Sequence, residues 1–279
     1  MHLRLGIQGH RGARGLFPEN TLDGFLAAAA LGVSAFELDV GMTADGVVVV
    51  HHDPALNADI ARDADGRWLE GPAPLLRALT FTALQSFDVG RLRPGSPTAA
   101  LFPDQAPRDG SRVPTLAAVL DALPDAYFTI EVKTHPPQPD ATAPPEALAD
   151  ATLAVIDAAG AGGRVTVESF DWRVPRYIRR VRPDLRLAWL TRPETVSRLW
   201  WDTDPLPSVV SSVARQGGPI WAPFHEALTA AEVAEAHDHG LLILPWTVNE
   251  PADMRRLITW GVDGLISDRP DLALLVAAL

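Results

Sequence analysis

AFELDVGMTADGVVVVHHD, residues 35–53, is the stretch whose reading decides the fold. Alternation along a strand places Glu37 and Asp39 on one face of AFELDV and Phe36, Leu38 and Val40 on the other. Two carboxylates leaving one strand in the same direction repel each other. A divalent cation between them, Mg²⁺ or Ca²⁺, turns the pair into a hard-oxygen site. The turn at Ala44, Asp45 and Gly46 reverses the chain into Val47 to Val50, which delivers His51, His52 and Asp53 close to those acids. Adjacent side chains point opposite ways, so His52 faces the site and His51 does not.

Outward from this unit the pattern repeats. Upstream, the apolar strand Leu5 to Gly9 runs into His10, Arg11 and Gly12. A helix follows, with Glu19, Asn20 and Thr21 at its start and Leu22, Phe25, Leu26 and Ala29 at helical spacing. Downstream, residues 54–112 break the rhythm with many Pro, Gly and Arg and one plausible helix near Thr82 to Phe87. They read as an insertion after strand two. Alternation then resumes: helix 114–120, strand 127–132, a Pro-rich loop 135–145 and a helix ending near Ala159. Strand 164–170 and helix 172–181 come next, then strand 185–190 and a helix, loop and helix over 191–218. The last units are strand 219–223, helix 229–239 capped by Thr229 with Glu232, strand 241–248, helix 251–260, strand 264–267 and helix 270–279. Eight strands each followed by a helix predict an α/β fold of one domain, a closed TIM (β/α)8 barrel with a small insertion after strand 2.

Chemistry on such a barrel sits at the C-terminal ends of the strands. His10, Glu37, Asp39, Glu131, Lys133, Glu168, Asn249 and Asp268 all fall at or near those ends. Glu131 and Lys133, two apart, face one way. Either they form a plain ion pair, or Glu131 joins Glu37 and Asp39 as a third oxygen donor to a cation. The second reading is preferred, because three inward acids are costly to bury alone. His10 and His52 flank the acids, and displacement at a phosphoryl group needs one group to take a proton and another to give one. Arg11 could grip phosphate oxygens bidentately, or simply pair with a carboxylate. Trp200 and Trp201 could cover an apolar leaving group, though packing is the simpler use of both.

Composition narrows the partners. The formal charge of −11 argues against nucleic acid and against an anionic membrane surface. No apolar run is long enough to span a bilayer, and no leader-like segment opens the chain, so a soluble cytoplasmic protein without stable membrane insertion is expected. With no cysteine, disulfides, thiolate nucleophiles and Cys-bound zinc are excluded. Lys133 is the sole lysine among 24 Lys and Arg, which hints at a place where only a compact ammonium fits.

The ordered motifs GlyHisArgGly (9–12), ProGluAsnThr (18–21), GluLeuAsp (37–39), ThrAlaAspGly (43–46), HisAspPro (52–54), ProThrLeu (114–116), GluValLys (131–133), SerPheAsp (169–171), TrpThrValAsn (246–249) and AspGlyLeuIleSerAspArgPro (263–270) resemble those of the glycerophosphodiester phosphodiesterase family. The resemblance spans nearly the whole chain. It implies a TIM barrel and metal-dependent hydrolysis of a small glycerophosphodiester to sn-glycerol 3-phosphate and an alcohol. Glu37, Asp39 and Glu131 would be the ligands of one divalent cation, Mg²⁺ or Ca²⁺, and His10 and His52 the acid/base pair. Arg11 and Lys133 would hold the phosphate, with Asn20 and Trp246 lining the pocket. A phospholipase D type activity on lysophospholipids or sphingolipids is the alternative. The insertion departs from the family pattern at Asn57 to Arg62.

Overall fold

The computed structural model describes residues 6–278, so Leu5 and Leu279 of the expected first strand and last helix lie outside the described residues. Nine strands form one sheet: β1 (Gly6–His10), β2 (Ala35–Met42), β3 (Val48–Val50), β4 (Tyr127–Val132), β5 (Val165–Ser169), β6 (Arg186–Thr191), β7 (Ile220–Pro223), β8 (Leu242–Ile243) and β9 (Gly264–Ser267). Eight are parallel, in the order β8-β7-β6-β5-β4-β2-β1-β9, and β3 pairs antiparallel with β2 as the return arm of its hairpin. Helices between the parallel strands complete a nearly closed (β/α)8 barrel, as the sequence predicts.

The seam lies between β8 and β9. Of the strand expected over 241–248, β8 spans only Leu242 and Ile243; Leu244 N and Trp246 N still donate to Trp221 O and Pro223 O of β7, whereas Pro245, on the side facing β9, has no N–H to contribute. Single bonds span the gap instead: Asp263 N donates to Ile243 O (3.0 Å), Ile266 N to Pro245 O (3.0 Å) and Val248 N to Ile266 O (2.9 Å).

Phe36, Leu38 and Val40 turn outward into a core shared with the helices, where the rings of Phe25, Phe36 and Phe128 meet at 5.6–6.4 Å between centroids. The barrel interior is divided. Asp39, Glu131, Glu168, Ala188 and Ile220 are successive register partners across β2, β4, β5, β6 and β7, so one inward row passes from three acids to two apolar residues. Ala188, Leu190, Ile220, Ala222, Leu244 and Ile266 fill the apolar half.

Residues 54–112 supply no barrel strand. They hold two short helices, Phe81–Leu84 and Pro97–Leu101, of which the second is a correction to the single helix expected. Leu56, Ala61, Leu76, Leu84, Val89 and Val113 form their own core with Val49 of the hairpin. Gln105 Nε2 donates to Arg14 O and Ala106 N to Leu16 O, tying this segment to the loop after β1.

Candidate active site

Local sequence explains how each side chain is aimed. In GlyHisArgGly, a Cβ on Gly9 would lie 1.9 Å from the carbonyl oxygen of Gly12, so the chain can turn this tightly only with glycine at position 9. The turn holds Arg11 in the left-handed region (φ +52°) and buries His10 and Arg11 against β2. ProGluAsnThr divides its work. Glu19 accepts from Arg11 Nη1 (2.9 Å), Asn20 Nδ2 donates to Asp39 Oδ2 (3.0 Å), and Thr21 caps the helix Leu22–Ala30 by accepting from Gly24 N.

Glu37, Asp39 and Glu131 converge at the C-terminal rim, all buried, with one oxygen of each within 4.8 Å of the others. Their surroundings fit a cation. Burial, with Asp39 and Glu168 beside it, pushes the Glu37 carboxyl well above the usual range. Burial likewise lifts Glu131 to about 7, against the pull of Lys133. Burial would also raise Asp39, but Arg11, His52 and Lys133 hold it ionised. Asp39 Oδ1 is buried without a hydrogen-bond partner. Three converging hard oxygens, two of them on carboxyls that burial and neighbouring acids push up in the absence of an ion, suit a divalent cation of the Mg²⁺ or Ca²⁺ kind.

His10 and His52 are each held by a carboxylate. His10 Nδ1 lies 2.5 Å from Asp268 Oδ1, and its Nε2 is 3.6 Å from Glu37 Oε2. His52 Nδ1 lies 2.6 Å from Asp53 Oδ1. An ionised carboxylate only accepts, so each ring donates through Nδ1 and keeps the Nε2 lone pair. Burial brings the pKa of both rings down to about 4, so both are neutral near pH 7. His51 turns away, its Nε2 3.2 Å from Ala55 O.

Glu37, Glu131, His10, His52 and Asp53 line a cleft of about 420 Å³ bounded also by Arg14, Thr134, His135, Phe170, Arg192, Trp200 and Trp246, with Asp39 and Asp268 buried behind them. Of residues 54–112 only Pro54 reaches it, and the outer wall comes from loops after β4, β5 and β6. Arg11 takes the carboxylate-paired arrangement, with Nε 3.2 Å from Asp39 Oδ2, while still lining the cleft. Lys133 Nζ sits 2.9 Å from Glu131 Oε1 and 3.5 Å from Asp39 Oδ1. Trp246 stands along the wall, its indole N–H donating to Ala222 O. Asn20 is buried beside the cleft, where its Nδ2 donates to Asp39 Oδ2. The tryptophans divide: Trp200 lines the cleft, whereas Trp201 is fully buried and stacked on Trp172 at 4.0 Å.

Sequence reasoning gave no role to Asp53, Asp268, Arg14 or Asn249. Asp268 also accepts from Arg14 Nε (2.7 Å) and from Asn249 Nδ2 (2.8 Å). Its position at a strand end was the available signal, but its partner His10 lies 258 residues away.

A parallel barrel whose strand ends gather an acid trio able to hold a cation and two carboxylate-held imidazoles has the layout of a barrel enzyme's active site. Residues 10–272 match the Glycerophosphoryl diester phosphodiesterase family, and the chain belongs to that family. It is similar to the glycerophosphodiester phosphodiesterase of Bacillus subtilis, 30% identical over 270 residues covering 94% of this chain and 83% of the relative. A crystal structure from Silicibacter pomeroyi, of a protein put forward as a glycerophosphoryl diester phosphodiesterase, superposes with a TM-score of 0.91 at 39% identity, covering 98% of this chain and 93% of that one. An Oleispira antarctica phosphodiesterase solved with sn-glycerol-3-phosphate shares the fold at a TM-score of 0.74 and 18% identity, covering 98% and 97%.

Proposed function

We propose that this protein hydrolyses glycerophosphodiesters to sn-glycerol 3-phosphate and an alcohol, with Glu37, Asp39 and Glu131 holding one divalent cation and His10 and His52 as the acid/base pair. The observation that carries this reading is the convergence of that buried trio with two carboxylate-held rings on one cleft. When bound, the cation supplies charge to offset what builds on the phosphate oxygens. Arg11 and Lys133 orient the phosphate from the same side, Arg11 by its planar fork and Lys133 as a point charge. One ring takes the proton of the attacking oxygen through its free Nε2, and the other, which must enter the step carrying a proton on Nε2, gives that proton to the departing alcohol. Asp268 and Asp53 fix the tautomers and stabilise whichever ring becomes charged. A neighbouring glycerol hydroxyl is the attacking group, giving a cyclic phosphate that water then opens.

A panel of glycerophosphodiesters assayed for released glycerol 3-phosphate with Mg²⁺, Ca²⁺, Mn²⁺ or EDTA tests the reaction. Including lysophosphatidylcholine decides between this reading and a phospholipase D type activity. Trapping the cyclic phosphate supports the attack by substrate hydroxyl; ¹⁸O from water in the first-formed product overturns it.

A further inference from the structure

The row of inward acids continues past the three proposed ligands. Glu168 is the register partner of Glu131 on the next strand, lines the cleft and is 1% exposed. Its Oε2 is buried without a partner, and it appears in no hydrogen bond or ion pair of the described residues, unlike Glu19, Asp53, Asp268 and the ligand Glu131. It is also outside the group of oxygens that could close on one cation. The next residue in the row is Ala188, so the barrel packs without an acid at this level. An unpaired buried carboxyl is expensive. The fold derives nothing from it, so its partner comes with the ligand.

The chemistry of that partner follows from the neighbours. A carboxyl would repel phosphate, whereas a hydroxyl can donate to it or accept from it in either protonation state. Glu168 stands about 4.8 Å, one strand spacing, from the row position of Glu131, which matches the reach from a phosphate to a hydroxyl on its esterified polyol. Phe170, two residues on, and Trp246 meet edge to face at 5.3 Å along the same wall and offer apolar surface to a short carbon skeleton.

We propose that Glu168 is a specificity-determining residue that hydrogen-bonds a glycerol hydroxyl of the substrate. This rests on the glycerophosphodiester reading of the site. The test is calorimetric titration of the Mg²⁺- or Ca²⁺-loaded protein, wild type, E168Q and E168L, with sn-glycerol 3-phosphate and with propyl phosphate, which lacks both hydroxyls.

Wild type is expected to favour glycerol 3-phosphate by roughly 10- to 100-fold, and E168L to bring the two ligands within about threefold. E168Q, which retains a donor and an acceptor, is expected to keep part of the preference. The metal-free melting temperature of E168L should equal or exceed that of wild type, because an unpaired buried acid is replaced by an apolar group. Preference intact in E168L overturns the inference, and so does loss of cation binding in E168Q. Failure of the substrate reading looks different: wild type itself then binds the two phosphates equally.

Discussion

His10 Nδ1 and Asp268 Oδ1 lie 2.5 Å apart, bridging the first and last strands of the barrel just beyond the register pair Gly9 and Ser267. The bond extends the β1–β9 pairing by one side-chain link at the point where the imidazole needs a fixed tautomer. In D268N the side-chain amide can donate to Nδ1, leaving Nε2 protonated and unable to take a proton. Activity is expected to fall roughly 10²- to 10⁴-fold in kcat with little change in KM. Steady-state kinetics on a glycerophosphodiester checks this, and a parallel rise in KM would argue against a tautomer effect.

The acid trio predicts opposite effects on metal-free and metal-loaded protein. Without a cation, Glu37 is pushed up by burial and by Asp39, so E37Q should leave the metal-free melting temperature unchanged or higher. With Mg²⁺ or Ca²⁺ at about 100 times Kd, wild type should gain about 2.7 kcal/mol of stability. E37Q, D39N and E131Q should lose most of that gain, and EDTA should abolish it along with activity. Differential scanning calorimetry with and without the ion reads both signs.

Lys133 tests the reading of a lone lysine as a compact charge. Its Nζ is 2.9 Å from Glu131 Oε1 and 3.5 Å from Asp39 Oδ1, and 6.0 Å from the centre of the Phe170 ring. A guanidinium keeps the charge but needs more room and a planar approach. K133R is expected to lower kcat/KM by roughly tenfold or more, at a cost of about 1–3 kcal/mol of overpacking. Wild-type kinetics in K133R would show that charge alone suffices.

Much of this was legible in the sequence because its cause is local. Two-residue spacing aims Glu37 with Asp39 and Glu131 with Lys133, and the Thr229–Glu232 capping box forms as the pattern indicates. What remained hidden depends on distant pairing. The carboxylate that holds His10 comes from just after the last strand, Arg11 spends part of its fork on Glu19, and Asn20 donates to Asp39. Nor could spacing reveal that β8 would span only Leu242–Ile243, with Pro245 offering β9 a carbonyl but no N–H. Trp200 and Trp201 are neighbours on one short helix, and the sequence offers no way to tell wall from core.

The turn at GlyHisArgGly is expected to be intolerant of even a methyl group. In G9A the new Cβ would collide with the carbonyl of Gly12, a backbone atom that can yield only by displacing Arg11 and His10. Stability should fall by about 1–3 kcal/mol. Activity should fall by more than the lost fraction of folded protein explains, since both site residues ride on the displaced turn. Comparing urea midpoints with kcat on the same preparation separates the two effects.

The paired tryptophans give the sharpest contrast between packing and function. Trp201 is fully buried, stacked face to face on Trp172, and that ring meets Trp189 edge-on at 5.1 Å. W201A removes the ring stacked on Trp172 from this buried cluster and should cost about 3–5 kcal/mol. Trp200, by contrast, packs edge to face on His135 and Phe170 along the open cleft. W200A should cost far less stability, on the order of 1 kcal/mol, because the ring is only partly buried and the cleft stays open to water. Its effect should appear instead in KM, and should grow with the size of the apolar leaving group. Urea denaturation and a series of glycerophosphodiesters of increasing leaving-group size, measured on both variants, decide the matter. Equal destabilisation of the two, or a KM for W200A that ignores the leaving group, would place Trp200 in the core with its neighbour.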